Sequence, residues 1–223
     1  MKLLLTSGGL MNDSIISALK NLTKKSFNKL NLAFIPTASN MEEGDKWWLI
    51  KDLEICKKLG FKTIDIVDIS ALPRTVWQKR LESANILLFE GGNTYHLMYW
   101  IHKSGLKDLL LKLLKTRVYV GISAGTLVAT PSLIFATTEK APLKKIGETI
   151  FNKGLGLVNF FVDVHINNSY FPKRTFDNLE VKSKKIPHEI YALDDNSAIK
   201  VDGTDIQVIS EGKWKKFNTA IKK

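Results

Sequence analysis

The sequence predicts an α/β fold, a parallel sheet flanked by helices, closed by a C-terminal region of β-hairpins. Three observations carry that prediction. Short apolar runs alternate with helix-length stretches through the first 130 or so residues, as in a parallel sheet covered on both faces. Glycine-rich turns follow several of these runs, at the strand ends where α/β proteins gather functional groups. In roughly the last 90 residues the spacing tightens to strand–turn–strand, with Asp202-Gly203 and Glu211-Gly212 as turn dipeptides.

The first strand candidate is Lys2–Thr6. Thr6-Ser7-Gly8-Gly9 and the polar Asn12-Asp13 follow it at once, so Leu3–Leu5 reads as a strand and not as a secretion signal. A helix over Asn12–Leu22 leads to a strand at Leu32–Ile35. The next helix, Lys46–Leu59, ends at Gly60, a residue suited to a left-handed C-cap. Then come a strand at Thr63–Asp68, a helix at Thr75–Glu82 and a strand at Ile86–Phe89. A helix bearing His96 and His102 starts after Gly91-Gly92-Asn93-Thr94; a further helix, Leu106–Lys115, precedes the strand Val118–Gly121. Beyond these, Phe160–Ile166 reads as a strand and Phe171–Lys185 as a helix. Ile190–Asp194, Ser197–Val201, Asp205–Ser210 and Lys213–Phe217 read as a closing meander of short strands. No linker or internal repeat interrupts the series, and 223 residues suffice for a sizeable core, so one domain over 1–223 is expected.

Composition excludes several classes of function. No apolar run reaches the ~18–20 residues of a membrane span, and no membrane partner is expected. Cys56 is the only cysteine, which rules out an intramolecular disulfide and a Cys-based zinc site; the cytoplasm is the expected location. A net charge of +11 raises the question of nucleic acid. Only four of the 33 basic residues are Arg (Arg74, Arg80, Arg117 and Arg174), and the Lys pairs are scattered, so a Lys-rich solvated surface is expected instead.

The chemistry concentrates in Val118–Ala129, an apolar strand running through Gly121-Ile122-Ser123-Ala124-Gly125 into a small-residue helix. Gly-x-Ser-x-Gly between strand and helix is the context of a nucleophile elbow, which lifts a serine hydroxyl above the sheet edge. The competing reading is a tight structural turn or an anion-binding loop. A serine nucleophile needs a base, and the chain offers His96, His102, His165 and His188. Of these, His165 ends an apolar run and precedes Asn167-Asn168, the position of a strand-end group. A carboxylate must then hold the imidazole tautomer; Asp194-Asp195, after Ile190–Leu193, is the candidate pair, and spacing leaves the choice open. The glycines at 91 and 92 let backbone amides approach a ligand, so the Gly92 and Ala124 amides are candidates for an oxyanion hole.

Gly91-Gly92-Asn93-Thr94, Gly121-Ile122-Ser123-Ala124-Gly125, Gly154-Leu155-Gly156-Leu157 with His165, and Leu193-Asp194-Asp195-Asn196-Ser197-Ala198-Ile199 occur in that order. Together they resemble the S51 serine peptidases, the family of peptidase E and cyanophycinase. The resemblance implies a fold similar to class I glutamine amidotransferases, with serine in place of their cysteine. It implies Ser123, His165 and an acid as the catalytic order, acting without metal or organic cofactor on short peptides, among them peptides with an N-terminal Asp. Asp195 takes the place where the family commonly has Glu, with Asp194 as its substitute. Asn93, Glu90 and Arg174 are the expected substrate contacts. Two positions depart from the family pattern. Glu90 stands where Gly is usual, either to bind a substrate amino group or to face solvent. Arg174 is the only Arg in the short segment after His165. An amidase acting on a non-peptide amide and a non-catalytic binding protein on the same fold are the alternatives, and monomer or homodimer is left open.

Overall fold

The computed structural model describes residues 1–138, 140, 143–144 and 147–218. Five strands form the parallel part of a seven-stranded sheet: β1 (Lys2–Thr6), β2 (Asn31–Ile35), β3 (Thr63–Ile66), β4 (Ile86–Phe89) and β5 (Val118–Ile122). The order is β3-β2-β4-β5-β1, followed by β8 (Ser197–Asp202) and β9 (Asp205–Ser210), so β1 pairs parallel with β5 and antiparallel with β8. Three further strands, β6 (Phe161–Asp163), β7 (Ile190–Leu193) and β10 (Trp214–Phe217), form a second sheet in the order β10-β7-β6.

Burial explains why these runs are strands. β4 and β5 are buried at every residue, and alternate side chains enter two cores on opposite faces. Leu3, Leu5, Ile35, Phe89 and Tyr119 pack into one core, while Leu4, Phe34, Leu88 and Val120 pack into the other. Each fully buried side chain of this size contributes about 1.5–3 kcal/mol of transfer free energy. Helices cover both faces: α1 (Asp13–Thr23), α2 (Thr37–Asn40), α3 (Trp47–Leu59), α4 (Arg74–Ser83), α5 (Thr94–Lys103), α6 (Leu106–Leu113), α7 (Ala124–Ala129) and α8 (Phe176–Ser183). The Gly60 cap was anticipated from sequence, and the Asn12 cap was not. Asn12 accepts the Ile15 amide at the start of α1, and Gly60 closes α3 at φ 73°. Among the described residues no helix is long and apolar enough to cross a membrane.

The C-terminal strands differ from the expected meander. Only β8 and β9 form a hairpin, turning at Gly203 with φ 65°; β7 and β10 pair with each other in the second sheet. The expected strand 160–166 is cut to Phe161–Asp163 because the backbone turns to φ 60° at His165. The expected helix 171–185 begins only at Phe176, where Thr175 caps it by accepting the Asn178 amide. β3 stops at Ile66, ahead of Asp68, whose carboxylate accepts hydrogen bonds from Thr37, Asn40 and Ser70.

Candidate active site

The turn from β5 to α7 holds Ser123 at φ 48° and ψ −103°, a conformation that costs a non-glycine residue about 1–3 kcal/mol. Packing imposes it. A Cβ on Gly125 would lie 2.1 Å from the Phe89 carbonyl oxygen, and one on Gly121 would lie 2.7 Å from the Gly125 carbonyl carbon. Both glycines of the motif are therefore sites of backbone contact. Thr126 Oγ1 ties the turn down by donating to the Thr6 and Gly121 carbonyls, and the Ser123 amide donates to the Thr6 carbonyl at 3.2 Å.

His165 reaches Ser123 from the loop after β6. Its Nε2 lies 2.8 Å from Ser123 Oγ and its Nδ1 lies 2.6 Å from Asp195 Oδ1. An ionised carboxylate only accepts, so Nδ1 carries the proton and Nε2 presents a lone pair to the serine hydroxyl. The ring also stacks on Phe171, with centroids 4.8 Å apart and planes 14° apart. Asp195 receives two further hydrogen bonds, from Ser7 Oγ at 2.9 Å and from Asn168 Nδ2. Burial alone would raise its pKa, but His165, Asn168 and Ser7 together bring it down to about 2. The Asp194 carboxylate is occupied elsewhere, accepting from Ser197 Oγ at 2.6 Å and from the Asn196 and Lys213 amides. The other three imidazoles pack away from Ser123: His102 stacks on Phe151, His188 lies against Phe161, and His96 is buried on α5 beside Trp100.

Ser7, Gly8, Asn168 and Phe171 were missed as site residues in the sequence. Ser7 Oγ also accepts the His165 amide at 2.8 Å, and a Cβ on Gly8 would come within 2.8 Å of Asp195 Cβ. One signal could have found this turn: Ser7-Gly8-Gly9 follows β1 as Gly91-Gly92 follows β4.

The loop after β4 lies against the serine, since a Cβ on Gly91 would sit 3.4 Å from Ser123 Cβ. Gly92 takes φ 122°, and a Cβ there would meet the Ala38 carbonyl oxygen at 2.5 Å, so glycine is required. The Gly91 amide donates to Glu90 Oε1 and the Asn93 amide to the Ala38 carbonyl, both at 2.9 Å. Asn93 caps α5: its side-chain oxygen accepts the His96 amide at the start of the helix.

Arg174 lines the cleft, but its terminal nitrogens are engaged. Nη1 donates to Asp163 Oδ1 at 2.9 Å and to the Val164 carbonyl, and Nη2 donates to the Phe135 carbonyl and Thr137 Oγ1. Burial pushes Asp163 up to about 6 even beside this cation. Arg174 and Asp163 form a buried ion pair at the cleft wall. Glu90 does not face solvent either. It is 0% exposed and sits beside the buried carboxyl of Asp52 from α3.

These groups meet in a cleft of about 440 Å³ above the carboxyl ends of β1, β4 and β5, lined also by Trp48, Thr94, Thr138 and Tyr170. Among the described residues no group of three or more His, Cys, Asp or Glu is arranged to hold a metal ion.

A hydroxyl, an imidazole and a carboxylate in hydrogen-bonded series, on a strained turn at the edge of an α/β sheet, define the class of this protein as a serine hydrolase. The family follows from its relatives: the model of peptidase family S51 matches residues 3–209, and the chain belongs to that family. It is 26% identical over 176 residues to an uncharacterised peptidase of Listeria monocytogenes serovar 1/2a, covering 78% of this chain and 83% of that one. It is 27% identical over 199 residues to peptidase E of Nostoc sp., covering 86% and 76% of the two chains. A crystal structure of a candidate peptidase E protein from Listeria monocytogenes EGD-e superposes with a TM-score of 0.78 at 22% identity, over 95% of this chain and 98% of that one. The fold is thus shared with solved peptidase E structures, and the chain is a serine peptidase.

Proposed function

We propose that the protein hydrolyses short peptides through an acyl-enzyme formed on Ser123, with His165 as general base and acid and Asp195 as its orienting carboxylate. The observation that carries this reading is the unbroken series Ser123 Oγ–His165 Nε2–Nδ1–Asp195 Oδ1, with separations of 2.8 and 2.6 Å. In acylation, Ser123 Oγ attacks the scissile carbonyl while His165 Nε2 takes its proton. The imidazolium, stabilised by Asp195, then protonates the leaving amine as the C–N bond breaks. Water repeats the sequence on the ester, releasing the acid and restoring Ser123.

The developing oxyanion is assigned to the amides of Gly92 and Ala124. Two things support that assignment: the neighbouring Gly91 and Asn93 amides are committed within the protein, and Gly92 lines the cleft beside Ser123. In this type of site, loss of one such donor costs about 10²–10³ in kcat.

Preference for an N-terminal Asp has less support than short-peptide hydrolysis itself. It would rest on Arg174, whose terminal nitrogens are bound by Asp163 and its neighbours. The test is hydrolysis of a dipeptide and X-p-nitroanilide panel by wild type and Ser123→Ala. Turnover that vanishes in the variant supports the reading, and the preferred first residue decides the Asp question. Equal turnover by both proteins contradicts it.

A further inference from the structure

The mouth of the cleft carries aromatic rings that stand in solvent. Trp47, the first residue of α3, is 48% exposed, Tyr170 is 72% exposed and Phe171 is 36% exposed. All three line the cleft, and the Trp47 and Tyr170 rings lie 6.1 Å apart at 39°. Leaving a large apolar side chain in water forgoes free energy in proportion to the area exposed. A gathering of such side chains at one place marks a surface for a ligand.

These rings are built onto the triad. Asn168 Nδ2 donates to Asp195 Oδ2, and Oδ1 of the same amide accepts the Tyr170 amide at 2.7 Å. The Phe171 amide donates to the Asn168 carbonyl at 3.0 Å, the Arg174 amide to the Phe171 carbonyl at 2.8 Å and the Asn167 amide to the Arg174 carbonyl at 2.7 Å. Residues 167–174 are thereby closed into a compact loop that holds its two rings ready for a ligand. Phe171 stacks on the His165 imidazole, and the Arg174 guanidinium lies 5.3 Å from the centre of the Phe171 ring. Trp48 goes the other way, since a Cβ on Gly91 would lie 3.8 Å from its ring. The start of α3 thus sends one tryptophan toward the loop after β4 and one toward the loop after His165.

We propose that Trp47 and Tyr170 form the subsite for the side chain on the leaving side of the scissile bond, and that this side chain is aromatic or large and aliphatic. The proposal rests on the peptidase reading and adds its substrate class. Proton transfer assigns the side. As the C–N bond breaks, the departing amine takes its proton from His165 Nε2, so the residue that owns this amine lies on the His165 flank of Ser123. The rings joined to His165 through Phe171 and Asn168 are the ones its side chain meets. The flank of Gly91 and Trp48 is left to the acyl side. An apolar side chain covers ring surface that is otherwise wet, and a flat ring accepts a stacked or edge-on partner. Glu43 and Asp45 also line the cleft, which makes a cation over the rings the competing occupant. Lys51, one turn along α3 from Trp47, opposes it with a like charge on the same helix face.

The test compares the dipeptides X-Phe, X-Leu, X-Gly and X-Lys, where X is the first residue preferred in the panel above. In the wild type, kcat/KM for X-Phe and X-Leu is expected to exceed that for X-Gly and X-Lys by at least ~10-fold. Trp47→Ala and Tyr170→Ala should bring the ratio of X-Phe to X-Gly toward one, mainly through a higher KM for X-Phe. Tyr170→Phe should preserve the ratio, because the ring and not the hydroxyl makes the contact. Both side chains are exposed, so their removal spares the core. Equal kcat/KM across the four dipeptides, a preference for X-Lys, or a ratio unchanged in Trp47→Ala and Tyr170→Ala overturns the proposal, while Ser123-dependent turnover keeps the peptidase reading. A ring-dependent preference that instead follows Phe at the first position, in Phe-Gly, also overturns it. Calorimetric titration of Ser123→Ala with Ala-Phe and Ala-Gly covers the reverse case. Tighter binding of Ala-Phe that is lost when Tyr170→Ala is added, with no turnover in the wild type, would overturn the peptidase reading and keep the rings as a binding subsite.

Discussion

One cleft holds two sets of carboxyl groups that the fold treats in opposite ways. Asp195 is partly buried, yet His165, Asn168 and Ser7 all donate to it, and its pKa falls to about 2. Asp52 and Glu90 are buried against each other and hydrogen-bonded, with the Gly91 amide donating to Glu90, and burial drives Asp52 up to about 7 and Glu90 well above the ordinary carboxylate range. The difference is depth joined to donor supply. A carboxylate wrapped in N–H and O–H groups stays charged and can steady an imidazolium. A deeply buried carboxyl pair short of donors holds a proton.

The contrast can be broken most severely on the Asp195 side. Ser123→Ala should lower kcat/KM by about 10⁴-fold or more, because the nucleophile itself is lost. Asp195→Asn should lower kcat by up to about 10⁴-fold while the fold persists, since an amide supports the wrong imidazole tautomer. Steady-state kinetics on one peptide substrate checks both. Asp194→Ala should differ sharply from Asp195→Asn, costing about 1–3 kcal/mol of stability through the unpaired Asn196 and Lys213 amides but leaving kcat within about tenfold. Equal kinetic losses in the two variants would show that the acid was misassigned.

A smaller effect sharpens the other side. The folded pKa of Asp52 is raised above its unfolded value, so its contribution to stability is fully present below about pH 4 and is lost as pH rises through about 7. Asp52→Asn keeps the neutral form at every pH, and its Tm relative to wild type should therefore climb between pH 5 and pH 8. A Tm difference that stays flat over that interval would mean that the carboxyl is solvated. Arg174→Met offers a structural control. It strands Asp163 in the core and should cost about 3–5 kcal/mol in denaturant unfolding, far more than a surface arginine would.

The sequence announced the reactive half of the cleft more clearly than the binding half, for physical reasons. Gly121 and Gly125 are required by backbone contacts within one turn, so the motif around Ser123 is local and readable. His165 and Asp195 could be placed at strand ends because the apolar runs before them stop there. Asp194 and Asp195 could not be told apart, since adjacent side chains in a turn point in different directions only once the turn is built. Ser7 and Asn168 act through hydrogen bonds to residues far along the chain, which leave no periodic mark. Lys51-Asp52 reads as an ordinary polar stretch of α3; what buries Asp52 is its approach to Gly9 and Glu90, an event of tertiary packing. The sheet shows the same limit. The parallel strands were legible as apolar runs, whereas the antiparallel docking of β8 on β1 and the move of β7 and β10 to a second sheet were not, because register between distant strands is set by the assembled core.

The central claim is that Ser123 is a nucleophile activated by His165, and covalent labelling tests it most directly. Intact-mass and peptide-mapping spectrometry after treatment with a fluorophosphonate should find one adduct, on Ser123, in the wild type, and a rate of labelling reduced by orders of magnitude in His165→Ala. An adduct on another residue, or a folded and hydrolytically active protein that takes up no label at Ser123, would contradict the account.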